Sequence, residues 1–225
     1  MSGPLQQLQA IAEGQWGLVT TQQAARVAVD NRTLTRLKAA GTLERVAHGV
    51  YRLRGSPPVE HLPLKAAWLQ FDPAVCAGER LSDPDVAVVS HASAAALYGV
   101  GDLRADIHEF TIPKRQQTRR LDVRLHRGRV TAAHQVLLEG LPTTRAGRMV
   151  GDLLQANVDP DGVAGIVGAV LTRVFDYPPV VAKALAPHAA RFGFRKGDGV
   201  ALLDYLLSRT TTRDRAEFVR TARQA

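Results

Sequence analysis

The segment TTQQAARVAVDNRTLTRLKAAG, residues 20–41, constrains this chain most, because it sets two helix-forming runs within three or four residues of each other. Thr20 followed by Gln23 has the spacing of a capping box, in which side chain and backbone satisfy two orphan donors reciprocally. After a tight turn at Ala28 and Val29, Asp30 has the chemistry of a second N-cap, and Gly41 supplies a left-handed stop. Two helices joined so closely pack as a helix-turn-helix. At about 100° per residue, Leu34 and Leu37 point to the core. Opposite them fall Arg32, Thr35, Arg36 and Ala39, flanked by Asn31, Thr33 and Lys38. That face carries no acid and offers donors to phosphates and base edges.

The flanking residues predict a winged helix. PLQQLQAIAE places Leu5, Leu8, Ile11 and Ala12 on one helical face and is ended by Gly14 and Gly17. TLERVAHGVYRL reads as two short β-rich runs around Ala47, His48 and Gly49, with glycine where a hairpin needs a positive φ. Arg45, His48 and Arg52 flank that wing and are expected to hold phosphates beside the groove. PPVE, residues 57–60, is a stiff break, so the winged helix is assigned to residues 1–58. An α+β domain takes residues 59–225, entered through a linking helix with Leu64, Trp68 and Phe71 near one face.

Charge distribution points the same way. The chain has a net charge of +8, and the surplus sits in two blocks. Residues 1–58 hold seven Lys/Arg against three acids. Residues 113–129 hold Lys114, Arg115, Arg119, Arg120, Arg124, Arg127 and Arg129 against Asp122 alone. The remainder is slightly acidic, a pattern that favours a polyanionic partner over a surface that is merely solvated. This second block is expected to be a further DNA-backbone surface, partly on a rigid strand, since alternation sets Arg124 and His126 opposite Val123 and Leu125.

In the second half VAVVS, HEFTIP, DVRLH and QVLLEG are four β-rich runs, expected to form one small, mainly antiparallel sheet. From Arg145 onward helical patterns dominate, in AGRMVGDLLQAN, PDGVAGIVGAVLTRV, PPVVAKALAPHAARFG, GVALLDYLLSRT and RDRAEFVRTARQ. His91 follows Ser90 at the start of an alanine-rich helix, where Ser90 is expected to cap. The seven histidines show no metal-ligand spacing, and the single cysteine, Cys76, excludes an internal disulfide framework and points to a reducing compartment, the cytoplasm. No metal, cofactor or catalytic residue is expected. No apolar run has the length of a membrane span, and the start of the chain lacks the features of a signal peptide.

GLVTTQQAARVAVDNRTLTRLKAAGTLERVAHGVYRL resembles the N-terminal winged helix of the AbiEi antitoxins of type IV toxin-antitoxin systems. VVSHASAAALYGVGDL, HEFTIP with RRLDVRLHRG, and VLLEGLPTTRAGRMVGDLL resemble the C-terminal antitoxin domain of that family, in its actinobacterial form. The resemblance spans roughly residues 5–157. It implies a repressor that binds double-stranded operator DNA with inverted repeats, controls its own operon and counteracts a cognate nucleotidyltransferase toxin without a stable complex being required. It leaves the oligomeric state open. The alternatives are a nucleic-acid-processing enzyme and an RNA-binding regulator. Against an enzyme, the chain has no phosphate loop, no Asp with a Glu-x-Lys nuclease pair, and no Gly-Ser pair backed by two carboxylates. An RNA binder is consistent with the charge but gains nothing from an aromatic content of 5%.

Overall fold

The capping box expected at Thr20 and Gln23 forms in both directions: Thr20 Oγ1 accepts from the Gln23 amide at 3.0 Å, and Gln23 Oε1 accepts from the Thr20 amide at 3.0 Å. In the computed structural model, which describes residues 3–104 and 106–224, this box sits where a strand turns into a helix. The chain runs through α1 (Pro4–Glu13), β1 (Leu18–Thr20), α2 (Thr21–Arg26), α3 (Asn31–Ala39), β2 (Leu43–Ala47) and β3 (Val50–Leu53). The strands pair antiparallel in the order β1-β3-β2, completing a winged helix. Strand β1 is an addition to the sequence expectation. Leu18, Val19 and Thr20 are all buried, so no alternation marks them as a strand. Its backbone pairs with Arg52, Tyr51 and Val50 of β3. Leu8, Ala12, Val19, Ala24, Val29, Leu34, Leu43 and Leu53 form the core, with Leu37 packed against it.

The compact unit containing the winged helix extends to Ala87, past the break read at residue 58. Side chains of the helix-turn-helix hold the following segment by its carbonyls: Gln23 Nε2 donates to Val75 O at 2.9 Å, Arg26 Nη1 to Ala74 O at 2.7 Å, and Thr20 Oγ1 to Pro73 O. Helix α4 (Leu62–Leu69) is buried on every side from Leu64 to Leu69, where one apolar face was expected. Trp68 Nε1 donates to Ala87 O at 2.7 Å, and Trp68 meets Trp16 edge-on at 6.1 Å. A short helix α5 (Ala77–Arg80) brings Arg80 over the Trp68 ring. Its burial pulls the guanidinium down to about 10.

The second unit, from Val88, is α+β. Its sheet contains β4 (Val88–Val89), β5 (His108–Ile112), β6 (Val123–Arg127), β7 (Gln135–Leu138) and β8 (Leu141–Thr144), in the order β6-β5-β4-β8-β7. Here the expectation of a mainly antiparallel sheet is corrected: β5–β6 and β4–β8 are parallel, while β4–β5 and β7–β8 are antiparallel. The basic segment after Ile112 is therefore a crossover returning to the start of a parallel neighbour, not a hairpin tip. Strand β8 was not expected, because LPTT contains a proline. Its pairing with β4 is limited to Val89 opposite Thr143, so a residue without an N–H is accommodated at Pro142.

Helix α6 (His91–Tyr98) packs on β5, but Ser90 does not cap it. Glu109 Oε2 accepts from the Ala92 amide at 2.9 Å instead, while Ser90 Oγ lies 2.9 Å from both His91 Nδ1 and Thr111 Oγ1. His91 adopts a positive φ of 52° and stacks on His126 with ring centroids 3.5 Å apart. The expected helices follow: α7 (Ala146–Gln155), α8 (Pro160–Thr172), α9 (Pro178–Leu185), α10 (Gly199–Ser208) and α11 (Arg215–Arg223), with a 3-10 turn over Ala186–Phe192. Leu202, Leu203, Leu206 and Leu207 of α10 are fully buried. Gly199 admits this packing, because a Cβ there would overlap the Ala182 carbonyl oxygen of α9.

Gly199→Ala should destabilise the second unit by about 1–3 kcal/mol, the cost of overpacking; a thermal midpoint equal to wild type would contradict the close approach of α9 and α10.

Burial first, then the neighbouring His126, with Arg148 and Arg124 adding and Glu109 opposing, pushes His91 down to about 4. The unfolded imidazole takes up a proton near pH 6.5 that the folded one refuses. Its contribution to stability is thus full above pH 6.5 and lost as pH falls to about 4. His91→Asn, whose side chain tolerates a positive φ, should flatten the fall in melting temperature across that window. Burial raises Asp152 and acts in the opposite sense, while hydrogen bonds hold Glu109 below its ordinary value against burial. Both are retained in the variant, so the difference from wild type reports the imidazole. Equal slopes would refute this account of His91.

Candidate nucleic-acid interface

The turn between α2 and α3 is closed by Ala28 at φ 58° and by the Val29 amide donating to Ala24 O at 2.9 Å. Val29 is thereby buried and Asp30 positioned at the start of α3, where its carboxylate accepts from the Thr33 amide at 2.8 Å. Thr33, through its side chain first and then its amide, holds Asp30 below the usual aspartate range. With Leu34 and Leu37 turned to the core, the face left outside is the one read from the sequence: Asn31, Arg32, Thr35, Arg36 and Lys38 are exposed and Thr33 half-buried.

The side chains of Arg32, Arg36 and Lys38 make no hydrogen bond or ion pair with the described residues. Arg32 and Arg36 stand one turn apart on the same side, as residues four apart do. Thr35 differs from them. Its Oγ1 donates to Asn31 O at 2.9 Å, which commits the hydroxyl proton to the helix and leaves the oxygen as an acceptor. Arg36 and Lys38 also lie in the last turn, where the helix dipole favours positive charge.

The wing turns through Gly49 at φ 68°, with a bulge between Arg45 and Ala47. The Thr21 amide donates to Gly49 O at 2.8 Å and Gln70 Nε2 to His48 O at 2.6 Å, so the tip is tied at two points to the body of its own unit. Arg45 and His48 meet there, with Arg45 Nη2 3.0 Å from His48 Nδ1, and both are exposed. Arg52 has a different place from the one expected. It lies on the central strand β3, half-buried, and its Nη2 donates to Ser56 O at 3.0 Å and Pro57 O at 2.7 Å. It holds the chain leaving the wing and is not at the turn.

The second basic block divides into two kinds of cation. Lys114, Arg115 and Arg119 are exposed on the crossover between β5 and β6, and Arg127 and Arg129 are exposed at and beyond the end of edge strand β6. Arg120 is engaged with Asp122, Nε donating to Oδ1 at 2.8 Å, a contact that holds the Asp122 carboxyl below its ordinary range. Arg124 Nη1 donates to Glu109 Oε1 at 3.3 Å, across the parallel register that sets Glu109 beside Arg124. The sequence reading did not single out Glu109, because only the strand pairing brings the two together. Among the described residues there is no group of three or more His, Cys, Asp or Glu placed to hold a metal ion, and no helix is long and apolar enough to cross a membrane.

Comparison with known proteins agrees with this geometry. Among curated proteins none matches significantly. A crystal structure of the RV2827C protein from Mycobacterium tuberculosis is similar in fold, with a TM-score of 0.56 at 13% identity over 97% of this chain and 81% of that one. The family model described as "Transcriptional regulator, AbiEi antitoxin" matches residues 6–54, which run from α1 to the residue after β3. The winged helix of this chain is thus similar, over residues 6–54, to the AbiEi antitoxin family of transcriptional regulators.

Proposed function

We propose that the chain is a DNA-binding repressor and the antitoxin of a type IV toxin-antitoxin system. In this reading it acts in the cytoplasm, represses its own operon at inverted repeats and counteracts a nucleotidyltransferase toxin. In this reading it has no catalytic centre of its own, and counteracting the toxin requires no stable complex with it. The observation that carries the DNA reading is the exposed face of α3, where Arg32, Arg36 and Lys38 make no side-chain hydrogen bond or ion pair with the described residues and no acid stands among them. Guanidiniums held on a rigid helix and not spent on internal ion pairs are suited to guanine O6 and N7 in the major groove. Arg45 and His48 on the wing supply backbone contacts that orient the helix without reading sequence. Arg52 is left out of that role by its bonds to Ser56 and Pro57.

Arg32→Ala and Arg36→Ala should each weaken operator binding by about 1–3 kcal/mol and relax the preference at one base position. Arg45→Ala should weaken operator and random DNA about equally and reduce the salt slope by about one. Fluorescence anisotropy over a salt series separates these effects. Wild-type affinity in both α3 variants would overturn the assignment of α3 as the reading helix.

The crossover cations Lys114, Arg115 and Arg119 extend the reading to the second unit as a DNA-backbone surface. Charge reversal at Arg115 and Arg119 should lower operator affinity and its salt dependence in the full chain. If that double variant binds operator normally but no longer protects cells from the toxin, the loop serves the antitoxin activity and not DNA.

A further inference from the structure

Within the second unit, the side of β5 and β6 that meets the start of α6 and the stretch of α7 from Arg148 to Gln155 is not closed. A cavity of about 520 Å³ opens there, lined by Arg124, Arg127, Arg148, His126, Thr111 and Asp152 among others. A second space of about 410 Å³ adjoins it, sharing His91, Arg124 and Ala156 and adding the apolar side chains of Ile107 and Val158. The winged helix contributes nothing to either.

The charges around the cavity do not balance. Across the two spaces four guanidiniums stand against three carboxylates; Arg104 and Asp106 pair with each other at 3.1 Å, and the other two carboxylates are already subscribed. Glu109 Oε1 accepts from Arg124 and lies 3.1 Å from His126 Nε2, while its Oε2 takes the Ala92 amide. Asp152 Oδ1 accepts from Arg148 Nε at 2.7 Å, but its Oδ2 is buried with no hydrogen-bond partner. Burial pushes the Asp152 carboxyl above its ordinary range, against the opposing hydrogen bond from Arg148. Arg127 has no partner among the described residues. Arg124 and Arg148 each use a single nitrogen of their planar forks in these contacts. These cations border a concave site open to solvent, where such forks match the oxygens of a phosphate.

The space itself constrains the rest of the ligand. Pockets of 300–1,000 Å³ hold organic molecules, and about 520 Å³ exceeds what a bare oxyanion fills. The adjoining apolar wall at Ile107 and Val158 gives an uncharged, carbon-rich moiety a place next to the cations.

We propose that this cleft binds a phosphomonoester joined to an organic group of nucleoside size. That chemistry is shared by a free mononucleotide and by the phosphorylated end of a nucleic-acid strand. The proposal is independent of DNA reading by α3, and it assigns Arg124 and Arg127 to the cleft and not to a DNA-backbone track.

The test is isothermal titration of the full chain with AMP, adenosine and inorganic phosphate, and with a short oligonucleotide carrying either a 5′-phosphate or a 5′-hydroxyl. AMP should bind at least tenfold more tightly than adenosine or inorganic phosphate. Arg127→Glu, an exposed position whose change leaves every internal hydrogen bond in place, should weaken AMP at least tenfold. Arg195→Glu, the same charge change on an exposed arginine away from the cleft, should leave AMP binding as in wild type. A gain of tenfold or more for the 5′-phosphorylated oligonucleotide over its hydroxyl form identifies a strand end as the source, and AMP binding without that gain identifies a free nucleotide. Either supports the site. Absence of AMP binding overturns the proposal, as does equal binding of AMP and adenosine, or undiminished AMP binding by a folded Arg127→Glu chain. Loss of operator binding in the α3 variants bears on none of these outcomes.

Discussion

The buried amide of Gln23 is the contact on which the first unit depends. A glutamine side chain has two donors and an acceptor site to satisfy, and burying it without partners costs several times the net worth of one hydrogen bond. Here every group is answered: Oε1 takes the Thr20 amide and the Gln15 side chain, and Nε2 reaches Gln15 Oε1 and Val75 O. Gln15 in turn bonds Leu18 O and the Ala77 amide. One pair of amides thus fixes the end of α1, the entry to β1, the start of α2 and the segment at residues 75–77. Because α2 is only six residues long and cannot sustain itself by propensity, its direction is inherited from this network. The direction of α3, which begins after four intervening residues, is inherited from α2.

Much of that arrangement was legible in the sequence because its determinants are local. Thr20 with Gln23, Asp30 before a polar run, Leu34 with Leu37, and Gly49 in a hairpin each act within four residues of their own position, and each is where the local chemistry puts it. What escaped notice is what depends on remote partners. β1 and β8 are short strands buried on both faces, so they lack alternation, and β8 contains a proline besides. The parallel pairing of β5 with β6 has no local signature, and a charged segment between two β-rich runs reads equally well as a hairpin. Ser90 has a good capping residue's chemistry, yet Glu109, seventeen positions away, takes the cap because the sheet delivers a carboxylate to the helix start.

The same distinction governs the basic residues. Counting cations by segment located both blocks correctly in sequence, but a count treats every arginine alike. Folding sorts them. Arg52 is spent on two carbonyls, Arg120 on Asp122 and Arg124 on Glu109, whereas Arg32, Arg36 and Lys38 are spent on nothing within the described residues. Only the last kind can exchange condensed counterions on a polyanion without first breaking an internal contact. An ion pair at the surface is worth little to stability, yet it removes a donor from the interface, so pairing decides which cations remain available at small energetic cost.

This sorting also explains why the second unit holds its acids where it does. Glu109 and Asp152 are buried carboxylates, expensive to desolvate unless hydrogen-bonded. Each is retained beside an arginine whose fork it only partly fills. If compensation were the sole purpose, apolar residues at these positions would be cheaper than a carboxylate with an unpartnered oxygen and a stacked imidazole pair with one ring forced to a positive φ. A polar cluster carrying such costs at the wall of an open cavity is better understood as a preorganised set of donors. Its carboxylates fix the guanidiniums while leaving part of each fork unused, Glu109 holding Arg124 through the register of β5 and β6 and Asp152 holding Arg148 along α7.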